Sequence, residues 1–144
     1  MNVEFHYYTV YYLAREAGFS DANAEILAYS SQYLDNALVA YQVAHDAGTY
    51  ETLVTHHFGF WDRAQEWDVW IPFHFYPAGE RAARPPRRDG ATNPLDVQPN
   101  SERAKRMLVD ALRSRNLYRV GIALHTYADT WAHQNFTGRN EAWN

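Results

Sequence analysis

At 144 residues the chain is of one-domain size and long enough to bury a core without staples. It holds no cysteine, which excludes disulfides, thiolate metal sites and cysteine nucleophiles together, so any metal must be held by His, Asp, Glu or backbone oxygen. A net charge of -4 excludes a strong general attraction to nucleic acid, and 11 Tyr, 7 Phe and 5 Trp exclude a disordered chain.

In chain order, the opening "MNVEFHYYTVYYLARE" lacks the basic start of a secretory leader and carries Glu4, His6, Arg15 and Glu16. No apolar run is long enough to span a bilayer, so a soluble, cytoplasmic protein is expected. Residues 3 to 17 read as a helix, with His6, Val10, Leu13 and Ala17 on one stripe and Phe5, Tyr8 and Tyr12 beside it. Gly18 suits its C-terminal cap. Ser20 then caps a second helix over Asp21 to Leu38, whose inner face is Ala24, Leu27, Ala28, Ser31, Leu34, Asp35 and Leu38. Asp35 thus falls among small and apolar residues, where a lone carboxylate is costly.

Residues 45 to 77 mix β-branched, aromatic and helix-forming residues. A short helix near Asp62 to Trp67 within extended chain is expected, with Pro72 and Pro77 bracketing "FHFY" as non-helical. Residues 78 to 100 form a Pro- and Arg-rich loop. Its arginines, Arg81, Arg84, Arg87 and Arg88, read as a solvated surface in preference to a phosphate-binding patch. Asn100 or Ser101 caps a fourth helix to about Arg113, and Asn116 caps a fifth to about Gln134, with Gly138 beyond it. The fold class is therefore mainly α: a single helical domain of about five helices with an irregular aromatic-rich segment and one long loop.

The last helix carries the chemistry. In "ALHTYADTWAHQNF", His125, Asp129 and His133 follow at steps of four. Each such step advances only about 40° around a helix, so the three line one face. Neighbours four apart have Cβ atoms about 5–6 Å from each other, close enough to share an ion. Gly121, Ala128 and Ala132 flank the stripe and let another helix approach. Alone, an H-x-x-x-D pair is common by chance and reads as polar residues on a half-exposed face. The inward positions of His6 and Asp35 on other helices shift that balance, because several buried imidazoles and carboxylates without a cation would each cost several kcal/mol. His74, held between prolines, is a further candidate ligand, and at most one of the adjacent His56 and His57 can face inward. Mixed His and carboxylate donors suit zinc, manganese, iron or nickel.

The segments "NVEFHYY", "AYSSQYLDNA", "IPFHFYP" and "LYRVGIALHTYADTWAHQNFTG" resemble, in order and over nearly the whole chain, an uncharacterised bacterial family known by a domain-of-unknown-function label. Members of that family continue past this point, so the chain reads as a short or C-terminally truncated member. More distantly, the pattern is similar to the zinc-dependent phospholipase C and S1/P1 nuclease group, helical phosphodiesterases with clustered zinc ions. That resemblance implies a phospholipase C-like helical core. It also implies His6, Asp35, His74, His125, Asp129 and His133 as metal ligands, with Asp129 bridging. The later H-x-x-x-E pair and the N-terminal Trp of that group are missing here, which implies one ion, or two sharing Asp129.

The expected function is a metal-dependent hydrolase acting on a phosphoester or other small-molecule substrate through a metal-activated water, with Asp129 and His133 in catalytic roles. In that reading Tyr7, Tyr33 and Trp131 are pocket walls, and an arginine from 81 to 88 covers an anionic substrate. One alternative is a non-catalytic helical protein with a structural metal or a buried polar network. Another starts from His45-Asp46, a doublet resembling that of HD-domain phosphohydrolases, with His6 and Asp129 completing H…HD…D. The many aromatic residues leave a homo-oligomer open.

Overall fold

The first helix is built on steps of four, so His6, Val10 and Ala14 form its buried face. The computed structural model describes residues 2–57, 63–79, 87, 89–142 and 144. In it α1 begins as a wide, π-wound segment, Glu4–Thr9, and continues as the α-helix Val10–Glu16. Leu13 and Ala17, expected on the inner stripe, are exposed. With steps of four throughout, Ala14 takes the inward place that a step of three would have given Leu13. Tyr8 and Tyr12 lie outside with Leu13. Gly18 ends α1 as expected: at φ +91° it donates to the Arg15 carbonyl at 3.0 Å, and Phe19 donates to the Ala14 carbonyl at 3.1 Å. This is the left-handed closure that glycine allows without strain.

Helix α2 (Asp21–Asn36) opens on Ser20, whose side chain accepts from the Asn23 amide at 3.3 Å. Ala24, Leu27, Ala28, Ser31, Leu34 and Asp35 are buried, as the periodicity predicts, but the helix stops before Leu38, which is exposed. The chain then forms an antiparallel hairpin, β1 (Gln42–His45) with β2 (Gly48–Glu51), paired from Gln42↔Glu51 to His45↔Gly48. Both strands are exposed along their length.

Helix α3 runs as Arg63–Gln65 and then as the π-wound Glu66–His74, with Pro72 inside it. The expectation that Pro72 would end helical structure is corrected. Proline obstructs a helix because it clashes with the carbonyl four residues back and cannot donate to it. Wider winding moves the carbonyl four residues back away from the ring, and the last turn closes by the Phe75 amide donating to the Trp70 carbonyl, five residues back, at 2.8 Å. The break falls at Phe75. Asp62, where this helix was expected to begin, lies outside the described residues, as do Arg81, Arg84 and Arg88. Arg87 is folded back on Asp89 in an ion pair.

The far end of the long loop is anchored rather than solvated. Asp96 and Val97 are buried, Val97 donates to the Phe136 carbonyl at 2.9 Å, and Asn135 donates to the Val97 carbonyl at 2.8 Å. Ser101 caps α4 (Glu102–Arg113) and Asn116 caps α5 (Leu117–Ala132), each side chain accepting a backbone amide at 3.2 Å. Among the described residues the protein is thus mainly helical, with five helices and one small two-stranded sheet. No helix among them is long and apolar enough to cross a membrane.

The core lies between α1, α2, α4 and α5, and its buried members are small: Val10, Ala14, Ala24, Leu27, Ala28, Ala111, Val120 and Ala123. The closest approach is α2 on α5. A Cβ added at Gly121 would lie 2.6 Å from the Leu27 carbonyl oxygen and 2.6 Å from the Ser30 Cβ. The backbones therefore touch there, and neither neighbour is the flexible end of a side chain. Gly121→Ala is expected to cost about 1–3 kcal/mol by forcing the helices apart. Urea denaturation of the two proteins measures it, and an unchanged or raised midpoint would contradict the contact.

Candidate metal centre

Five polar side chains from four helices meet in this interior. His6 comes from the π-wound start of α1, Asp35 from the last turn of α2 and His74 from the end of α3. His125 and Asp129 come from adjacent turns of α5. None is more than 5 % exposed, and His125 is fully buried. Both histidines outside α5 sit on π-wound backbone, where the extra residue per turn re-aims side chains relative to an α-helix.

Asp129 is the hub. Its Oδ1 lies 3.2 Å from His6 Nε2. Its Oδ2 lies 3.1 Å from His74 Nδ1, 3.3 Å from His125 Nε2 and 3.6 Å from His133 Nε2. Asp35 closes the opposite side, with His6 Nε2, His74 Nδ1 and His125 Nε2 each 3.9 Å from its carboxylate oxygens. The rings of His6 and His125 stack with centroids 3.9 Å apart.

The tautomer of His74 decides what this cluster asks for. Its Nε2 lies 2.7 Å from the Thr55 carbonyl oxygen, which can only accept, so Nε2 carries the proton. Thr55 is itself fixed to the end of α2: its hydroxyl donates to the Leu34 carbonyl at 2.9 Å and its amide to the Ala37 carbonyl at 3.1 Å. In the neutral ring Nδ1 is therefore a lone pair, and it faces Asp129 Oδ2 at 3.1 Å and His125 Nε2 at 3.1 Å. A carboxylate oxygen and an imidazole lone pair at that separation need a proton or a cation between them. Burial pushes the Asp129 carboxyl up, but hydrogen bonds from the surrounding imidazoles, His125 foremost, outweigh it and hold the group well below the usual carboxylate range. Burial pushes His125 down, against the opposing pull of Asp129, and favours its neutral form. An ionised Asp129 beside a neutral His125 is the protonation state that metal binding requires.

These residues fit a metal ion. Two trios, His6–Asp35–His125 and His74–His125–Asp129, each bring ligand atoms within 4.8 Å of one another. Both contain His125, whose Nε2 faces both carboxylates. The two trios therefore share a nitrogen, and Asp129 turns Oδ1 toward His6 and Oδ2 toward His74 and His125. The ring nitrogen bonded to the Thr55 carbonyl gives His74 the kind of outer hydrogen bond that orients metal-bound imidazoles.

His133 stands apart from the other five. It caps α5, its side chain is 34 % exposed, and its ring stacks on Phe75 with centroids 4.3 Å apart. It borders the cluster without being buried in it. His56 is the inward member of its pair, 5.5 Å edge-on to His74, while His57 is exposed. Burial, and after it the nearby His74, push His56 down.

Other expected residues lie elsewhere. His45 and Asp46 sit on the exposed hairpin, outside the cluster, so the HD-type ligand set is not assembled. Tyr7 donates to Glu25 at 2.6 Å, which with burial pushes its hydroxyl up to about 12. Tyr33 stacks on Tyr29, and Trp131 packs against Tyr127. None of these three lines the cavity beside His133, which is walled instead by Trp70, Phe75 and Phe136. Thr55 acts through its backbone and Phe75 through its ring face, and neither carries a chemical signature that sequence reading could have singled out.

A family described as "Family of unknown function (DUF6765)" matches residues 1–144, and the chain belongs to it. No curated protein and no solved structure matches the chain. The family agrees with the resemblance read from the motifs, and the more distant likeness to phospholipase C finds no counterpart in these comparisons.

Elemental analysis of metal-loaded protein should give one tightly held ion per chain, or two where Asp129 bridges. Asp129→Ala removes the group that touches every imidazole and should abolish stoichiometric binding. No tightly held ion, or unchanged metal content in the variant, would overturn this assignment.

Proposed function

We propose that this member of a family of unknown function is a metal-dependent hydrolase acting on phosphoesters. One observation carries the reading. His6, Asp35, His74, His125 and Asp129 form two buried trios of donor atoms that share His125, and a partly exposed histidine, His133, borders them. The choice of phosphoester rests on the H-x-x-x-D-x-x-x-H spacing of His125, Asp129 and His133, which resembles the phospholipase C and P1 nuclease group. Nothing in the donor set selects zinc over manganese, iron or nickel.

A divalent transition metal held there supplies Lewis acidity, drawing charge from phosphoryl oxygens and lowering the pKa of water beside it toward neutrality. The chain's own residues do the rest. Asp129, kept ionised by the imidazoles around it, would hold the cation from α5. Thr55 locks His74 in the tautomer that presents Nδ1 inward. His133 is reached from solvent, and its ring plane is set by Phe75. From that position its Nε2 holds a proton and gives it to the departing ester oxygen.

A second reading is favoured by the near-complete burial of the five donors. In it the ion ties α1, α2, α3 and α5 together and supports no turnover.

Reloaded protein assayed against phosphomonoesters and phosphodiesters, with melting curves before and after chelation, separates the two. The hydrolase reading expects turnover that chelation abolishes. It also expects His133→Ala to lower kcat by about 10²-fold or more while metal content stays at the wild-type level. A chelator-sensitive melting temperature with no ester cleaved favours the structural ion and sinks the hydrolase.

A further inference from the structure

A cavity of about 220 Å³ lies beside the centre, between α3 and the segment that follows α5. Trp70, Phe75 and Phe136 wall it, Gly138 lies along it, and Arg139 and Asn140 stand at its polar side. It adjoins the candidate ligands through two shared rings. Phe75 stacks on His133, and Trp70 packs at 5.4 Å against His74. The walls are held in place by backbone as well as side chain. A Cβ at Gly138 would come within 2.9 Å of both the Ile71 amide nitrogen and its Cγ1, and Asn140 donates its amide to Glu66 Oε1 at 2.9 Å.

Size and charge limit what enters. Pockets for drug-sized ligands occupy about 300–1,000 Å³, whereas an apolar cavity of about 150 Å³ takes up a benzene ring. At about 220 Å³ the space fits one ring with a small substituent. The nearby cation is already engaged: Arg139 lies 2.7 Å from the Glu141 carboxylate and 3.7 Å from that of Glu66. Two carboxylates around one guanidinium leave no excess positive charge for an anionic group. The aromatic walls favour an uncharged, planar occupant.

We propose that this cavity binds a single uncharged aryl ring, the organic group of the ester whose phosphoryl end meets the metal centre. The second half of that statement rests on the hydrolase reading, and the first half stands without it. Substrates would then be aryl or arylmethyl phosphoesters, discriminated from small alkyl esters by what this cavity holds.

The test begins with binding. Phenol titrated into the metal-loaded full chain, followed by ¹⁵N-resolved NMR, should shift the Trp70 indole N–H and the Gly138 and Asn140 amides in a saturable way. Phe136 is 51 % exposed, so Phe136→Ala removes a wall without emptying the core. It should weaken phenol binding at least about fivefold at an unchanged melting temperature, a fraction of what a full hydrophobic contact is worth. In turnover, benzyl phosphate should exceed methyl phosphate, whose leaving alcohol is similarly basic, in kcat/KM by at least about tenfold, and Phe136→Ala should narrow that ratio. Phenol that shifts none of these signals, or binds the variant equally well, overturns the ring site. Equal kcat/KM for the two esters overturns its link to the reaction. Saturable phenol binding with neither ester cleaved upholds the ring site and sinks the hydrolase reading alone.

Discussion

A carboxylate at 2 % exposure with four imidazoles around it is the constraint to which the rest of this structure answers. An ionised group in a dry interior is tolerated when its charge is met by hydrogen bonds or by a counter-ion. Asp129 has imidazoles on every side, and they arrive from α1, α3 and α5 while Asp35 arrives from α2. None of those helices can shift by much without leaving a buried charge or lone pair without its partner. The polar centre therefore constrains the relative positions of the helices alongside a hydrophobic core made largely of alanine and valine.

Small residues are what make such a centre possible. Donors can surround one point when the backbones carrying them lie close, and α2 approaches α5 closely because Gly121 has no Cβ to hold it off. Asp35 then stands opposite Asp129 with the histidines between. The two π-wound segments serve the same end from outside the helix pair, turning His6 and His74 inward. Helix winding, side-chain volume and site geometry are here parts of one solution.

The portion of this arrangement that is local in sequence was legible there. Side chains four apart on a helix must share a face, so the alignment of His125, Asp129 and His133 follows from spacing alone, as does the burial of Asp35 among Leu27, Ala28, Ser31 and Leu34. The caps at Ser20, Ser101 and Asn116 and the closure at Gly18 are equally local. What was not legible depends on tertiary context. Pro72 ends an ordinary α-helix but not a wider one, and nothing in the residues nearby announces the change of winding. Asp96 and Val97 look like loop by composition, and they are buried because the chain after α5 returns to pair with them. The hairpin at residues 42–51 has strand-forming residues without a buried face, so alternation gave no signal. Leu13 was misassigned for a simpler reason: steps of three and of four are both compatible with a helix, and the choice between them belongs to the neighbouring helix.

His133 is where structural and chemical readings of the centre part. A purely structural ion is served best by donors that exclude water on all sides, and five of the six candidates are buried in that way. The sixth repeats the spacing of the other two on α5, yet it falls on the cap residue, a third exposed, with its ring face committed to Phe75 and its Nε2 still 3.6 Å from Asp129. Because the helix ends at Ala132, the same spacing that lines up three ligands on paper delivers two buried donors and one rim residue that faces solvent. This asymmetry, one solvent-facing histidine next to a cavity of single-ring size that shares Phe75 with it, is what the proposed hydrolase reading rests on.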